Sequence, residues 1–435
     1  MDRDQRIRDP VHNLIPFSTK NPEDRLLWDL LQTAPLQRLR RIRQLGFSEF
    51  VYPGATHTRF SHSLGAMQMA RRMLGAFERN QLFELNDQHA LMRKATLAAS
   101  LLHDVGHGPY SHVFEELSEE YKIEKDHEEY TKDIIKSKEI NKILEEYGVN
   151  RETLSFFEVE AGYTPYDSII SSQMDCDRLD FLARDRYYTG IKSQVVDFEW
   201  LFDSLIIDEV TIDPVDDLKR YAFVVLPKGI SVVEEFVIAY VKMYHNVYFH
   251  KTTRAVQFQV MSAVRQALKE YGPKLIERGV NLARFFLDEK ARTLEIYSSL
   301  DDSSITSFIH HLAEGEYGSS SILAQRLLRR DLFKCLEIPP LEGGGNRNEM
   351  IGRLIKAMKA EGLVFYPDVV SDRSYKQYDA ADEHFLENII VRKDGENRGL
   401  HHASSLVKSI SVTTTRFYFE DAASLARSKE ILKAV

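Results

Sequence analysis

Cysteine is nearly missing from this chain: Cys176 and Cys335 are the only two in 435 residues. They make no metal-binding spacing and no disulfide framework, and such scarcity fits a reducing cytoplasm. Long apolar runs are missing as well. The most apolar long stretch, residues 221–242, is broken by Lys228, Glu234 and Glu235, which leaves no span of about 20 apolar residues to cross a membrane. The opening MDRDQRIRDP is charged and has no apolar segment, so no secretory signal is expected. Nor is there an excess of positive charge. The net charge of −9 makes the surface as a whole repel polyanions, and a phosphorylated ligand needs a local basic pocket. Repeats and low-complexity segments are missing. What remains, 43% hydrophobic and 28% charged residues, is the composition of a globular protein, and the length suggests roughly two or three domains.

The chain reads mainly as helix. Residues 24–43 form helices interrupted near Pro35. Leu64, Met67, Ala70 and Leu74 recur at helical spacing between Phe60 and Phe77. A second helix, Leu91 to His103, turns Ala95, Ala98, Leu101 and Leu102 inward, and Gly106 and Gly108 end it. Asp126 is placed to cap a helix beginning at His127. Further helices are expected over 171–188 and most of 231–270. After about residue 300 the character changes: Pro339-Pro340 and Gly343-Gly344-Gly345 mark a loop, followed by a helix at 349–361 and strand-like runs at 362–370, 387–392 and 408–419. The expected architecture is a mainly α body over 1–320, with its chemical motifs within 59–190, and a smaller mixed α/β region over 321–435.

Seven of the fifteen histidines lie between His57 and His127. Imidazole is costly to bury without partners, so this crowding calls for a chemical reason. His103-Asp104 ends an apolar helix, and His107 and His112 follow within ten residues. With His62 upstream and Asp177 downstream, two imidazoles and two carboxylates are available. That set suits divalent cations such as Mn²⁺, Mg²⁺, Fe²⁺, Zn²⁺ or Ni²⁺ with positions left for water or substrate. Arg59 lies three residues before His62, on the same helix face, where its guanidinium could grip a phosphate in bidentate fashion.

Three runs resemble the HD-domain phosphohydrolases: Arg59-Phe60-Ser61-His62-Ser63-Leu64-Gly65, His103 through His112, and Asp175-Cys176-Asp177-Arg178-Leu179-Asp180 with Ala183-Arg184-Asp185. The likeness is nearest to the deoxynucleotide triphosphohydrolase branch. It starts at Asp9-Pro10-Val11-His12, runs through Gln44-Leu45-Gly46 and Tyr52-Pro53-Gly54-Ala55, and fades towards Lys251. The resemblance implies that His62, His103, Asp104 and Asp177 hold the metal. It places His107, His112 and His127 on the phosphate side, with Glu115 and Glu128 as acidic partners. One imidazole must protonate the departing 5′-oxygen, and the sequence does not choose between His112 and His127. By the same resemblance Arg59 and Arg178 meet phosphate, Gln44 and Asp185 hold a sugar 3′-hydroxyl, and Leu45 and Tyr248 crowd the 2′-carbon, which would disfavour ribonucleotides.

The resemblance is incomplete. Phe181 replaces a tyrosine, Tyr244 a histidine and Tyr240 an arginine, so distal-phosphate contacts are altered, and Lys251 or Arg254 are the substitute cations. Gln37 and Arg40 match an activating-nucleotide site whose other positions, Arg8 and Gln32, depart from the family. The basic run Arg38, Arg40, Arg41, Arg43 reads as a solvated helix face or as a strip that touches single-stranded nucleic acid. The leading expectation is a cytoplasmic, metal-dependent hydrolase of deoxynucleoside triphosphates (dGTPase-like) that releases a deoxynucleoside and triphosphate and assembles as a homo-oligomer. The alternatives are an HD phosphodiesterase or nuclease on another phosphate ester, and a nucleotide-sensing module with little turnover.

Overall fold

A computed structural model describes residues 3–79, 86–158, 164–192, 195–213, 218–339, 347–370, 388–407 and 414–434. The chain is mainly helical. The expected helices appear as Pro22–Leu31 and Ala34–Arg38, Arg59–Arg79, Asp87–Leu102, His127–Ile135, Cys176–Thr189, Ile230–Met243, Lys251–Glu277 and Arg347–Ala360. Their boundaries follow from local chemistry. The side chains of Asn86, Asp126 and Asp175 accept the N–H groups of His89, Glu129 and Arg178 at three helix starts. Gly190, in the left-handed conformation, ends Cys176–Thr189. The glycine run 343–345 lies outside the described residues, as does the 408–413 part of the last strand-like run.

Two compact units form. One comprises Met1–Tyr244, Asp288–Ser303 and Tyr378–Ile410; the other comprises His245–Leu287, Ser304–Gln377 and Ser411–Val435. This differs from a single cut near residue 320, because strands from the C-terminal third return to the first unit. There Ile390–Lys393 pairs in parallel with Leu218–Val225, in a four-stranded sheet completed by Leu205–Asp213 and Glu396–Gly399. The second unit has a three-stranded antiparallel sheet with Thr414–Phe419 between Lys334–Ile338 and Tyr366–Val370. Leu336, Ile338, Leu354, Met358, Phe417, Phe419 and Ile431 form a core there.

In the first unit Arg59–Arg79 packs against both Asp87–Leu102 and Cys176–Thr189. Leu64, Met67, Ala70, Leu74, Ala95, Ala98, Leu101 and Leu102 are all buried, as their spacing predicts. The approach to Cys176–Thr189 is closest at Gly65, where an added Cβ would stand 1.9 Å from Asp180 Oδ1 and 2.4 Å from Arg184 Nη2. Arg184 and Asp180, which in sequence look like a surface i,i+4 pair, are fully buried. Arg184 also reaches Asp9 at 2.7 Å; Asp9 ends the first strand of a Gln5–Asp9/Asn13–Phe17 hairpin.

The basic run is a solvated face only in part: Arg40 and Arg41 are exposed, Arg43 is half-buried and Arg38 is buried. Arg38 is buried and donates to the Leu300 and His107 carbonyls, each at 2.9 Å. Arg40 lies over the Phe60 ring, while Arg41 and Arg43 pair with Asp301 and Glu49. Buried carbonyls need donors, and Arg38 meets that need.

Gly65→Ala should destabilise the protein by about 1–3 kcal/mol, the usual cost of overpacking a tight contact, as measured by chemical denaturation. An unchanged midpoint would show that the two helices can move apart freely.

Candidate metal centre

Three helix ends bring the acidic and imidazole groups together. His62 sits in the first turn of Arg59–Arg79, His103 caps Asp87–Leu102, and Asp177 lies in the first turn of Cys176–Thr189. One ligand atom from each of His62, His103 and Asp177 lies within 4.8 Å of the others. His62 Nε2 is 2.9 Å from Asp177 Oδ1 and 3.6 Å from Asp104 Oδ2. His103 Nε2 is 3.4 Å from Asp104 Oδ1. All four residues singled out in the sequence therefore meet at one place.

The hydrogen bonds on the far side of each ring decide what the near side offers. His103 Nδ1 lies 2.8 Å from the Ser100 carbonyl; a carbonyl only accepts, so this nitrogen carries the proton. His62 Nδ1 likewise meets the Asp180 carboxylate at 2.8 Å. In the neutral rings both Nε2 atoms are then bare lone pairs, 3.2 Å apart and flanked by two carboxylates. Such a set repels itself unless a positive charge sits between its members. The field agrees: burial opposes a charged imidazole at His62, but Asp177 and Asp180 outweigh it and push its pKa up to about 10. The donor set thus fits a divalent cation, with nitrogen and oxygen ligands of the borderline class.

Beside this group runs a second string of polar residues. Arg59 donates to Asp104 at 2.5 Å and to Ser111 Oγ at 2.8 Å, so its guanidinium is engaged within the protein. His107 Nε2 lies 3.1 Å from Asp104 Oδ1, and its ring stacks on His127 at 4.1 Å. Glu115 joins His127 at 2.7 Å and His112 at 3.3 Å. His112 is largely exposed and His127 about one-third exposed. Burial, reinforced by Arg59, pushes His107 down to about 3, which makes it neutral near pH 7. Burial also opposes charge on His127, but the bond to Glu115 prevails and raises it. Glu128 is exposed in the first turn of its helix and forms no ion pair with these imidazoles among the described residues.

The other sequence candidates meet different surroundings. Asp185 is buried and bonded to His57 Nε2 at 2.7 Å. The Gln44 side-chain carbonyl is buried without a hydrogen-bond partner among the described residues. Leu45 is half-buried. Arg178 is held by Asp175 and by the Ser172 carbonyl. Gln37 and Arg40 bond each other at 2.8 Å. Tyr240 and Tyr244 share a hydroxyl hydrogen bond at 2.9 Å. Tyr248 closes a π-helical turn and belongs to the second unit, as does Arg254, which pairs with Asp368.

Sequence reasoning missed the groups that hold the site in place. Tyr110 and Ser111 have φ of 49° and 37°, a conformation uncommon for residues with side chains. Asp302 accepts the Tyr110 N–H at 2.7 Å, and the Tyr297 hydroxyl bonds the Gly106 carbonyl. Their distance in sequence gave no signal. Asp180 did give one: it lies one helical turn after Asp177, so it is near the same end of that helix.

Comparison with known proteins gives concordant results. Residues 59–169 match the model of the HD domain family. The uncharacterized protein YwfO of Bacillus subtilis is 31% identical over 415 residues, covering 94% of this chain and 90% of that protein. A deoxynucleoside triphosphate triphosphohydrolase SAMHD1 homolog of Dictyostelium discoideum is 28% identical over 256 residues. That match covers 55% of this chain and 46% of the relative, so the chain spans less than half of that protein's length. A phosphohydrolase from Bacteroides thetaiotaomicron, solved by crystallography, has a TM-score of 0.72 at 26% identity, covering 96% of this chain and all of the other.

Asp177→Ala should abolish metal retention and leave folding stability within about 1 kcal/mol, because a partly exposed helix position tolerates alanine. Metal content after purification and a thermal melt would check both. An entering cation must displace the proton on His62, whose pKa in the folded protein is near 10. Affinity for Mn²⁺ should therefore rise with pH between about 6 and 8, by up to about tenfold per unit for one proton displaced. Titrations at several pH values that give one constant would contradict this.

Proposed function

Because the chain belongs to the HD-domain phosphohydrolases, we propose that it is a metal-dependent deoxynucleoside triphosphate triphosphohydrolase. It cleaves at the α-phosphorus and yields a deoxynucleoside and inorganic triphosphate. The observation that carries the reading is the pair of inward-facing imidazole nitrogens at 3.2 Å between two carboxylates, placed beside an imidazole string governed by Glu115. The named relative from Dictyostelium supports the substrate class. His62, His103, Asp104 and Asp177 would hold the cation, whose contribution is Lewis acidity toward water and a phosphoryl oxygen.

The remaining chemistry belongs to side chains. Arg59 and His107 hold the Asp104 carboxylate from two directions, which fixes its orientation. The departing 5′-oxygen needs a proton. His107 is ill-suited to supply it, being neutral near pH 7, whereas the bond to Glu115 favours the protonated form of His127, which is partly exposed. We assign His127 as the general acid, Glu115 as the residue that orients it, and His112 as a secondary partner of Glu115. Arg59 could reach an α-phosphate oxygen only by sharing its contact with Ser111.

A second reading is favoured by specific contacts. Arg178 is committed to Asp175 and Ser172, and Tyr240 and Tyr244 bond each other where cationic groups would grip a distal phosphate. A phosphodiesterase acting on another phosphate ester needs no such grip. A nucleotide effector, single-stranded nucleic acid and a homo-oligomeric assembly remain parts of the proposal that the metal site does not require.

Incubating the protein with Mn²⁺ and each deoxynucleoside triphosphate should release triphosphate. Nucleoside monophosphate with pyrophosphate would refute the bond choice, and turnover of single-stranded DNA or RNA alone would favour the second reading. His127→Ala should lower kcat by about 10²–10⁴-fold, the usual worth of a general acid, and His112→Ala by less than about tenfold. The reverse order would move the proton donor to His112.

A further inference from the structure

We propose that His12, acting through Asp180, is a positioning residue for the His62 imidazole. This rests on the reading above that His62 helps to hold a cation. Both His12 and Asp180 lie outside the segment 59–169 that matches the HD domain, and nothing in that match accounts for them.

The Asp180 carboxylate is fully buried and receives four N–H donors. Its Oδ2 accepts from His62 Nδ1 and from Arg184 Nε, each at 2.8 Å. Its Oδ1 accepts from His12 Nε2 at 2.6 Å and from Arg184 Nη2 at 3.0 Å. A carboxylate offers about four acceptor sites, so none is left over. It can neither swing towards the metal group nor release His62 without breaking another buried bond.

His12 is itself fixed. Asp9 Oδ1 accepts the N–H groups of Val11 and His12 at 2.9 Å each, and Asp9 also grips Arg184 at 2.7 Å. The loop of contacts Asp9–Arg184–Asp180–His12 closes on itself through the turn of the N-terminal hairpin. The Arg184 guanidinium alone would leave one Asp180 oxygen with a single donor. His12 supplies the second and stops the carboxylate plane from rotating. The carboxylate plane in turn sets the ring angle of His62 and keeps its Nδ1 protonated, so that Nε2 faces Asp177 and His103. Partners of this kind typically alter metal affinity by about 10–100-fold.

A purely structural role for His12, tying the hairpin to the Cys176–Thr189 helix, makes a different prediction. It would lower the melting temperature of the metal-free protein and leave the affinity of the folded protein unchanged. The test is titration of the full-length protein with Mn²⁺ alone, paired with metal-free melts, for the wild type, His12→Ala and His12→Gln. His12→Ala should weaken Mn²⁺ binding by about 10–100-fold. His12→Gln, whose amide N–H can reach the same oxygen, should restore most of that loss. Absence of Mn²⁺ binding in the wild type would sink the functional reading itself. Wild-type binding that His12→Ala leaves unchanged overturns the His12 assignment alone.

Should His12→Ala fail to fold, reciprocity allows the same coupling to be read in the wild type. Mn²⁺ should then slow amide exchange at Asp9, Val11, His12 and Asn13. Exchange there that is indifferent to Mn²⁺ overturns the proposal.

Discussion

Two inward-facing imidazole nitrogens flanked by two carboxylates are the centre of this protein. The Ser100 carbonyl and the Asp180 carboxylate take up the outer nitrogens of His103 and His62, so in the neutral rings the inner ones can only accept. Placing two such atoms 3.2 Å apart, next to Asp104 and Asp177, is unfavourable by itself. It becomes favourable only when a positive charge joins them. Folding therefore builds an electrostatic demand, and the three helix ends that carry the donors must be held firmly for it to persist.

Much of the surrounding packing answers that need for firmness. Gly65 lets Cys176–Thr189 approach Arg59–Arg79 closely enough for Asp180 to meet His62. The segment after Asp104 is bound at successive points. Tyr297 takes the Gly106 carbonyl, Arg38 the His107 carbonyl and Asp302 the Tyr110 N–H. Without these contacts the left-handed conformations at Tyr110 and Ser111 would relax, since each costs of order 1–3 kcal/mol. Ser111 would then leave Arg59, and Asp104 would lose the guanidinium that orients it. The strained turn and the ligand geometry are parts of one arrangement.

What the sequence made legible is what periodicity and local chemistry encode. The helices of the first unit, their buried faces and their caps follow from spacing and from single residues such as Asn86, Asp126 and Asp175. The four candidate ligands were legible because imidazole and carboxylate at helix ends are rare without purpose. Long-range partners were not. Arg38 reads as one basic residue among several, and only the tertiary structure buries it against two carbonyls. Arg184 and Asp180 have the spacing of an exposed pair, and nothing local says that a glycine on another helix will cover them. The return of Ile390–Lys393 to pair with Leu218–Val225 defeats any division of the chain into contiguous halves. Gln37 and Arg40, expected at a ligand site, bond each other through one N–H while Arg40 stays exposed.

The substitutions at Phe181, Tyr240 and Tyr244 bear on which substrate is held, and much less on which bond breaks. Bond choice depends on where the cation and the proton donor stand relative to one phosphorus. In the proposed reaction those positions would be set by His62, His103, Asp104 and Asp177 on one side and by the Glu115–His127 pair on the other. A hydroxyl pair in place of cationic side chains removes attraction for the far end of a polyphosphate, which weakens binding of ground state and transition state alike. Such a change raises KM while leaving the chemical step intact. The proposed reaction class and the altered distal contacts are therefore compatible.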